Sequence, residues 1–347
     1  VSTGGNAGRQ SRWRAILGIV IIAVLLVVAL GATIGSLNRD LYSAGGFVQQ
    51  YLSAVARADT HGALSLPGVM PTAAELKKAG LPADLPTTLL RGSVLSPLDD
   101  IRLVSDTERE PGLHTVSFAF TLDKAPANMD FTVRSTGVFA GVFTSWRFET
   151  SPLGVLQVDV AHQSLFTVNG LTLDTRAHAA PDAPATFSNQ ASYLVFAPNL
   201  YEIKHDTALL TAPEQKVPVT STAVTHVTVD AEPNASFISQ VQAEVDKFLD
   251  ACATQEVLQP SDCPFGIVID DRIKGVPTWS IADYPPVTLA AGETDFEMPD
   301  TEGQAHIVVD VQSLYDGDLS TRDENVPFAI GLGVGIRPDG SIAIQLH

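Results

Sequence analysis

The sequence predicts an α+β protein: an N-terminal transmembrane helix, then two helix-plus-antiparallel-sheet modules flanking a small β-sandwich. Three observations predict it. The 20 residues from Ala15 to Ile34, AILGIVIIAVLLVVALGATI, carry no charge. Beyond them the apolar pattern changes twice from helical period to strict alternation, the sign of helices that precede sheets. Between those two changes, residues 155–231 hold strand-like runs and no strong helical one.

At about 1.5 Å per residue the uncharged segment covers roughly 30 Å, the hydrocarbon thickness of a bilayer. Arg9, Arg12 and Arg14 precede it, whereas Arg39 stands beside Asp40 after it. The positive-inside rule then expects residues 1–14 in the cytoplasm, 15–35 as a single-pass signal anchor in the plasma membrane, and the remainder extracytoplasmic. A cleaved signal peptide ending near Ala29-Leu30-Gly31 is the rival, but signal h-regions of about 7–15 residues are shorter. The GxxxG of Gly31 and Gly35 lies at the outer end of the span, where a helix terminus tolerates glycine.

The chain of 347 residues carries a net charge of −18. Beyond residue 35 stand 39 acidic and 18 basic residues, a balance of −21. Such a surface repels nucleic acid, anionic lipid and phosphate-rich polymers, so no nucleic-acid partner is expected.

The first module is expected over 45–151. Val48, Tyr51, Leu52 and Val55 recur at helical spacing, and PTAAELKKAG contains a Thr72–Glu75 capping box and Gly80 as a stop. IRLVSD, HTVSFAFTLD, MDFTVRSTG and VFTSWRFET then alternate as antiparallel strands. The β-sandwich is expected over 155–231, with Asn169-Gly170 as a hairpin turn and an Ala/Pro-rich loop, RAHAAPDAPATFSNQ. The second α+β module follows over 236–347. Ile238, Val241, Val245, Phe248, Leu249 and Cys252 share one helix face, with Asn234 as linker and cap, before TWSIADY, AHIVVDVQSLY, VPFAIGLGVGI and SIAIQL.

An internal repeat connects the two modules. YLSAVARADTHGALSLP (51–67) aligns without gaps to FLDACATQEVLQPSDCP (248–264), and Trp146 and Pro152 match the spacing of Trp279 and Pro285. In this alignment Val55 takes the place of Cys252.

Helix-then-strand modules around a β-domain with VNG…LVFAPNLYEI resemble TcaA-type bacterial envelope proteins. The matching residues are Val168, Asn169 and Gly170, then Phe196, Pro198 and Tyr201, with Asn199 where the family has glycine. Residues 1–14 lack the cysteines of that family's cytoplasmic zinc ribbon. The resemblance implies NTF2-like modules, a conical pocket between helix and curved sheet, and a role in the cell envelope. It carries over no catalytic residue.

Catalytic, cofactor and metal signatures are absent from the sequence. The histidines His61, His114, His162, His178, His205, His226, His306 and His347 form no local metal motif, and no nucleophile elbow occurs. GLGVG (331–335) lacks the residues of a nucleotide loop and reads as a glycine-softened strand. YDGDLSTRDENVP (315–327) reads as a solvated acidic loop, with Asp316, Asp318, Asp323 and Glu324 as calcium ligands in the alternative. Asp270 and Asp271, at the end of FGIVIDD, are expected to point to opposite faces of a strand. Cys252 and Cys263 are the only cysteines. On the oxidising side of a membrane they are expected to form one intramolecular disulfide.

The functional expectation is a non-catalytic, membrane-anchored binding or scaffold protein whose partner is an envelope protein or cell-wall component. The alternative is an exported enzyme or small-ligand receptor, with His114 or Asp123 lining an NTF2-like pocket.

Overall fold

A computed structural model describes residues 19–29, 42–139, 143–178, 186–337 and 339–346. Of these, 47% lie in strands and 20% in helices. The expected α+β class is thus corrected to a mostly β architecture with several sheets. The strands outgrow their sequence signals: the expected acidic loop at 315–327 is strand from Leu319 onward, because its polar residues form an exposed hairpin arm.

The expected membrane helix is also corrected. Among the described residues no helix is long and apolar enough to cross a membrane. Residues 19–29 are helical and exposed, and at 1.5 Å per residue they cover about 16 Å, half of a hydrocarbon core. The tail at 1–14 and the rest of the expected span lie outside the described residues. The single-pass plasma-membrane placement therefore loses its support.

Helix α1 (Ala44–Ala56) starts at Ser43, whose hydroxyl accepts the Gly46 amide at 2.9 Å. Two short helices follow, α2 (Thr60–Ser65) and α3 (Ala73–Lys78), the latter with the Thr72–Glu75 capping box. They precede a meander of β1 (Leu98–Glu110), β2 (Leu113–Leu122), β3 (Ala125–Phe139) and β4 (Phe143–Phe148), hydrogen-bonded in that order. On β2 the even-numbered residues Val116, Phe118, Phe120 and Leu122 face inward, as period-2 alternation requires. They meet Val48, Tyr51, Leu52 and Val55 of α1 in one buried cluster.

Residues 154–233 form two sheets. The first runs β12 (Glu232–Pro233), β10 (Leu210–Val219), β9 (Asn199–Asp206), β6 (Leu165–Val168) and β7 (Leu171–Asp174). The second runs β11 (Val224–Asp230), β5 (Gly154–Ala161) and β8 (Asn189–Val195), with β11 parallel to β5. Asn169 and Gly170 take positive φ (45° and 81°) between β6 and β7, the backbone that a two-residue hairpin turn requires.

Helix α4 (Ala235–Ala253) begins at Asn234, whose side chain accepts the Phe237 amide at 3.0 Å. Its sheet centres on β16 (Phe296–Gln312), flanked on one side by β13 (Arg272–Ile273), β14 (Thr278–Asp283) and β15 (Ala290–Ala291). On the other side lie β17 (Leu319–Ile336) and then β18 (Ile342–Leu346). Gly331 stands opposite a register shift between Met298 and Thr301, where an added Cβ would meet Asp300. GLGVG is thus a bulged strand. FGIVIDD forms no strand, contrary to expectation, and Asp271 instead accepts the Leu314 amide at 3.3 Å.

Helices α1 and α4 end at Ala56 and Ala253, equivalent points of the internal repeat. The tryptophans break that equivalence: Trp146 lies on β4, the last strand of its meander, and Trp279 on β14, ahead of β16.

Candidate functional site

Asn169, Phe196, Asn199 and Tyr201 meet at a joint between the first module and the β-sandwich. The Asn169 Nδ2 group donates to Val94 O (2.6 Å) and Leu200 O (3.1 Å), while its Oδ1 accepts the Glu202 amide at 2.6 Å. Asn199 is a buried strand residue. Its Oδ1 accepts the Ser96 amide at 2.8 Å and its Nδ2 donates to Val94 O at 3.1 Å. The Ser96 hydroxyl donates to Leu200 O at 2.6 Å. A glycine at 199 has no side chain to make the first two contacts.

Two tyrosines close the joint. The hydroxyl of Tyr51, in α1, donates to Ala197 O across the boundary, and that of Tyr201 to Phe196 O, both at 2.9 Å. Burial pushes both phenols well above the ordinary tyrosine range, so they stay neutral donors. Asp123 adds an outer contact. It sits at the β2–β3 turn and pairs with Lys216 of β10 at 2.6 Å, which holds its carboxyl below the usual range. It lines no pocket.

The space expected as a pocket between α1 and its sheet is occupied by Val48, Tyr51, Leu52, Phe118, Phe131 and Phe148, all buried. Under α4 the same space holds Phe237, Val241, Val245, Leu249, Phe296 and Ile307.

A histidine–carboxylate cluster lies at the rim of the first module. His114 Nδ1 stands 2.6 Å from Asp106 Oδ1, and Nε2 stands 3.9 Å from Glu108 Oε1. The Asp106 carboxylate can only accept, so Nδ1 is the donor in this pair. The ring lies edge-on to Trp146 at 5.0 Å, and Trp146 donates its indole N–H to Tyr42 O at 2.7 Å. Spacing in sequence gave no sign of this cluster, because antiparallel pairing of β1 with β2 creates it.

Cys252 and Cys263 are bonded, with Cα atoms 5.8 Å apart. Gln255 reinforces the closed loop: its Oε1 accepts the Ser261 amide (2.8 Å) and its Nε2 donates to Ser261 O (3.1 Å). Trp279 packs on Phe265 at 5.0 Å and donates to Val257 O at 2.7 Å, pinning the same loop. Among the described residues, no group of three or more His, Cys, Asp or Glu side chains is placed to hold a metal. Asp323 and Glu324 lie on β17 and Asp316 and Asp318 in the turn before it, spread along the arm.

No known protein family matches this chain, and no curated protein does. One solved structure, described as an Ntf2 like protein involved in plasmid conjugation, is similar over 72% of this chain and 76% of its own, at 10% identity and a TM-score of 0.13. At that score neither fold nor role passes from one chain to the other.

Proposed function

We propose that this chain is a non-catalytic binding or scaffold protein that works through its outer surfaces. The observation that carries the reading is the filling of both helix–sheet interiors by large apolar side chains. An interior packed in this way leaves no room for a substrate, whereas a rigid frame presents surfaces at low entropic cost. The disulfide favours an oxidising compartment. The resemblance to TcaA-type proteins supports an envelope protein or cell-wall component as the partner class. Crosslinking in intact cells is expected to recover one such partner reproducibly, and recovery of none sinks the reading.

A second reading, an enzyme or small-ligand receptor, is favoured by the Asp106–His114 pair. It requires small-molecule binding that His114→Ala abolishes while thermal stability is kept.

A further inference from the structure

The two modules treat their exposed strand edges differently. Strand β1 is an open edge, but three register shifts break its pairing with β2 and charged residues stud it. Bulges and charges of this kind deny a template to an incoming strand. Strand β17 is paired with β16 without a shift from Thr301–Ile330 to Gln312–Leu319. Its other edge meets β18 only at Leu332–Ile336. Among the described residues nothing pairs with the outer edge before that. Pro327, which has no N–H, limits the regular free run to Leu319–Val326.

This run leaves the core as an arm. Residues from Leu319 to Asp323 are exposed on both faces, and at the tip Leu314, Tyr315 and Leu319 are 68%, 98% and 72% exposed. Beside them an open cleft of about 380 Å³ is lined by Lys274, Asp310, Gln312, Leu319, Ser320 and Thr321. The charge is lopsided as well. Residues 235–346 hold 19 acidic and five basic residues, a balance of −14, against −7 over the longer stretch 44–234.

From these observations we infer that the outer edge of β17 between Leu319 and Val326 receives an extended basic segment of a partner protein as an added strand. The inference rests on the binding-protein reading and names its partner's chemistry. Backbone groups of the edge supply the hydrogen bonds. Asp323 and Glu324 attract the segment's cations, and the exposed Tyr315 and Leu319 take its apolar side chains. A second copy of this chain is a poor occupant, since it brings one −14 module against another.

The test uses fluorescein-labelled octapeptides and the whole protein. A peptide alternating Lys and Val is expected to bind saturably by anisotropy and to slow amide hydrogen exchange at 319–326. Methylating its backbone nitrogens at alternate residues should abolish binding in one frame and spare it in the other. Asp323→Lys with Glu324→Lys should weaken binding by about tenfold, and an alternating Glu–Val peptide should not bind. Equal binding by both methylated frames, by the Glu–Val peptide or by oligolysine overturns the inference, as does protection elsewhere than 319–326. Those results leave the crosslinking test of the binding-protein reading standing, so the two fail separately.

Discussion

The first and third modules end their main helices at equivalent points and secure them by opposite means. In the third, the helix end carries Cys252, and its bridge to Cys263 closes a loop within the same module. In the first, Val55 stands there. The nearby Tyr51 reaches out of its module to a carbonyl 146 residues away. A local covalent clip holds the helix end within its own module, whereas a buried hydrogen bond across a boundary makes the neighbour part of the lock. The repeat therefore preserves a helix register, and each copy solves the problem of anchoring it differently.

The comparison is broken most severely at the clip. Replacing both cysteines by serine should cost about 3 kcal/mol on the chain-entropy account of a loop of this size, read by denaturant unfolding. The loss should appear as exchange in α4 and leave α1 protected. Asn199→Gly removes the side-chain bonds to Ser96 and Val94 and should cost about 2 kcal/mol, this time exposing the first module and the β-sandwich together. Tyr51→Phe should cost about 1 kcal/mol. A double-mutant cycle with Asn199→Gly should show coupling, because both act on one joint. If Tyr51→Phe loosened the third module as much as the first, the idea of separate locks would fall.

A smaller effect concerns pH. His205, on β9, is buried and donates from Nδ1 to Leu165 O at 2.8 Å. Burial, partly opposed by that bond, lowers its pKa below the ordinary histidine range. A depressed histidine contributes stability that is complete above its unfolded pKa of about 6.5 and is lost as pH falls through the folded value. Acidification should thus loosen the β-sandwich first, near Thr207 and Ala208, whose carbonyls accept the Asn234 side chain at the start of α4. His205→Gln should flatten that pH dependence in thermal melts.

Local signals were the legible ones. The Thr72–Glu75 box, the Asn169-Gly170 turn and the helical face from Val48 to Val55 all depend on residues close in sequence, where spacing alone dictates geometry. The β17 arm was missed because its sequence, LSTRDENVP, has no apolar alternation: a strand exposed on both faces needs none. The His114–Asp106 pair and the joint around Asn199 were missed for another reason. Their partners come together through strand pairing and module contact, and no spacing encodes them. Asn199 shows the limit well. As a single residue it reads as a turn former, and only the arrival of Ser96 and Val94 makes it a clamp. The membrane helix was the reverse error, since an uncharged run was read as a span whose described helix covers 19–29.

The Tyr51 contact also bears on the order of synthesis. A ribosome releases α1 and its meander well before Ala197 exists, so until then the Tyr51 hydroxyl has no carbonyl to meet. Contacts of such sequence separation close late. The nascent first module thus waits half-sealed, its stability unfinished, until the chain that follows supplies the missing acceptor.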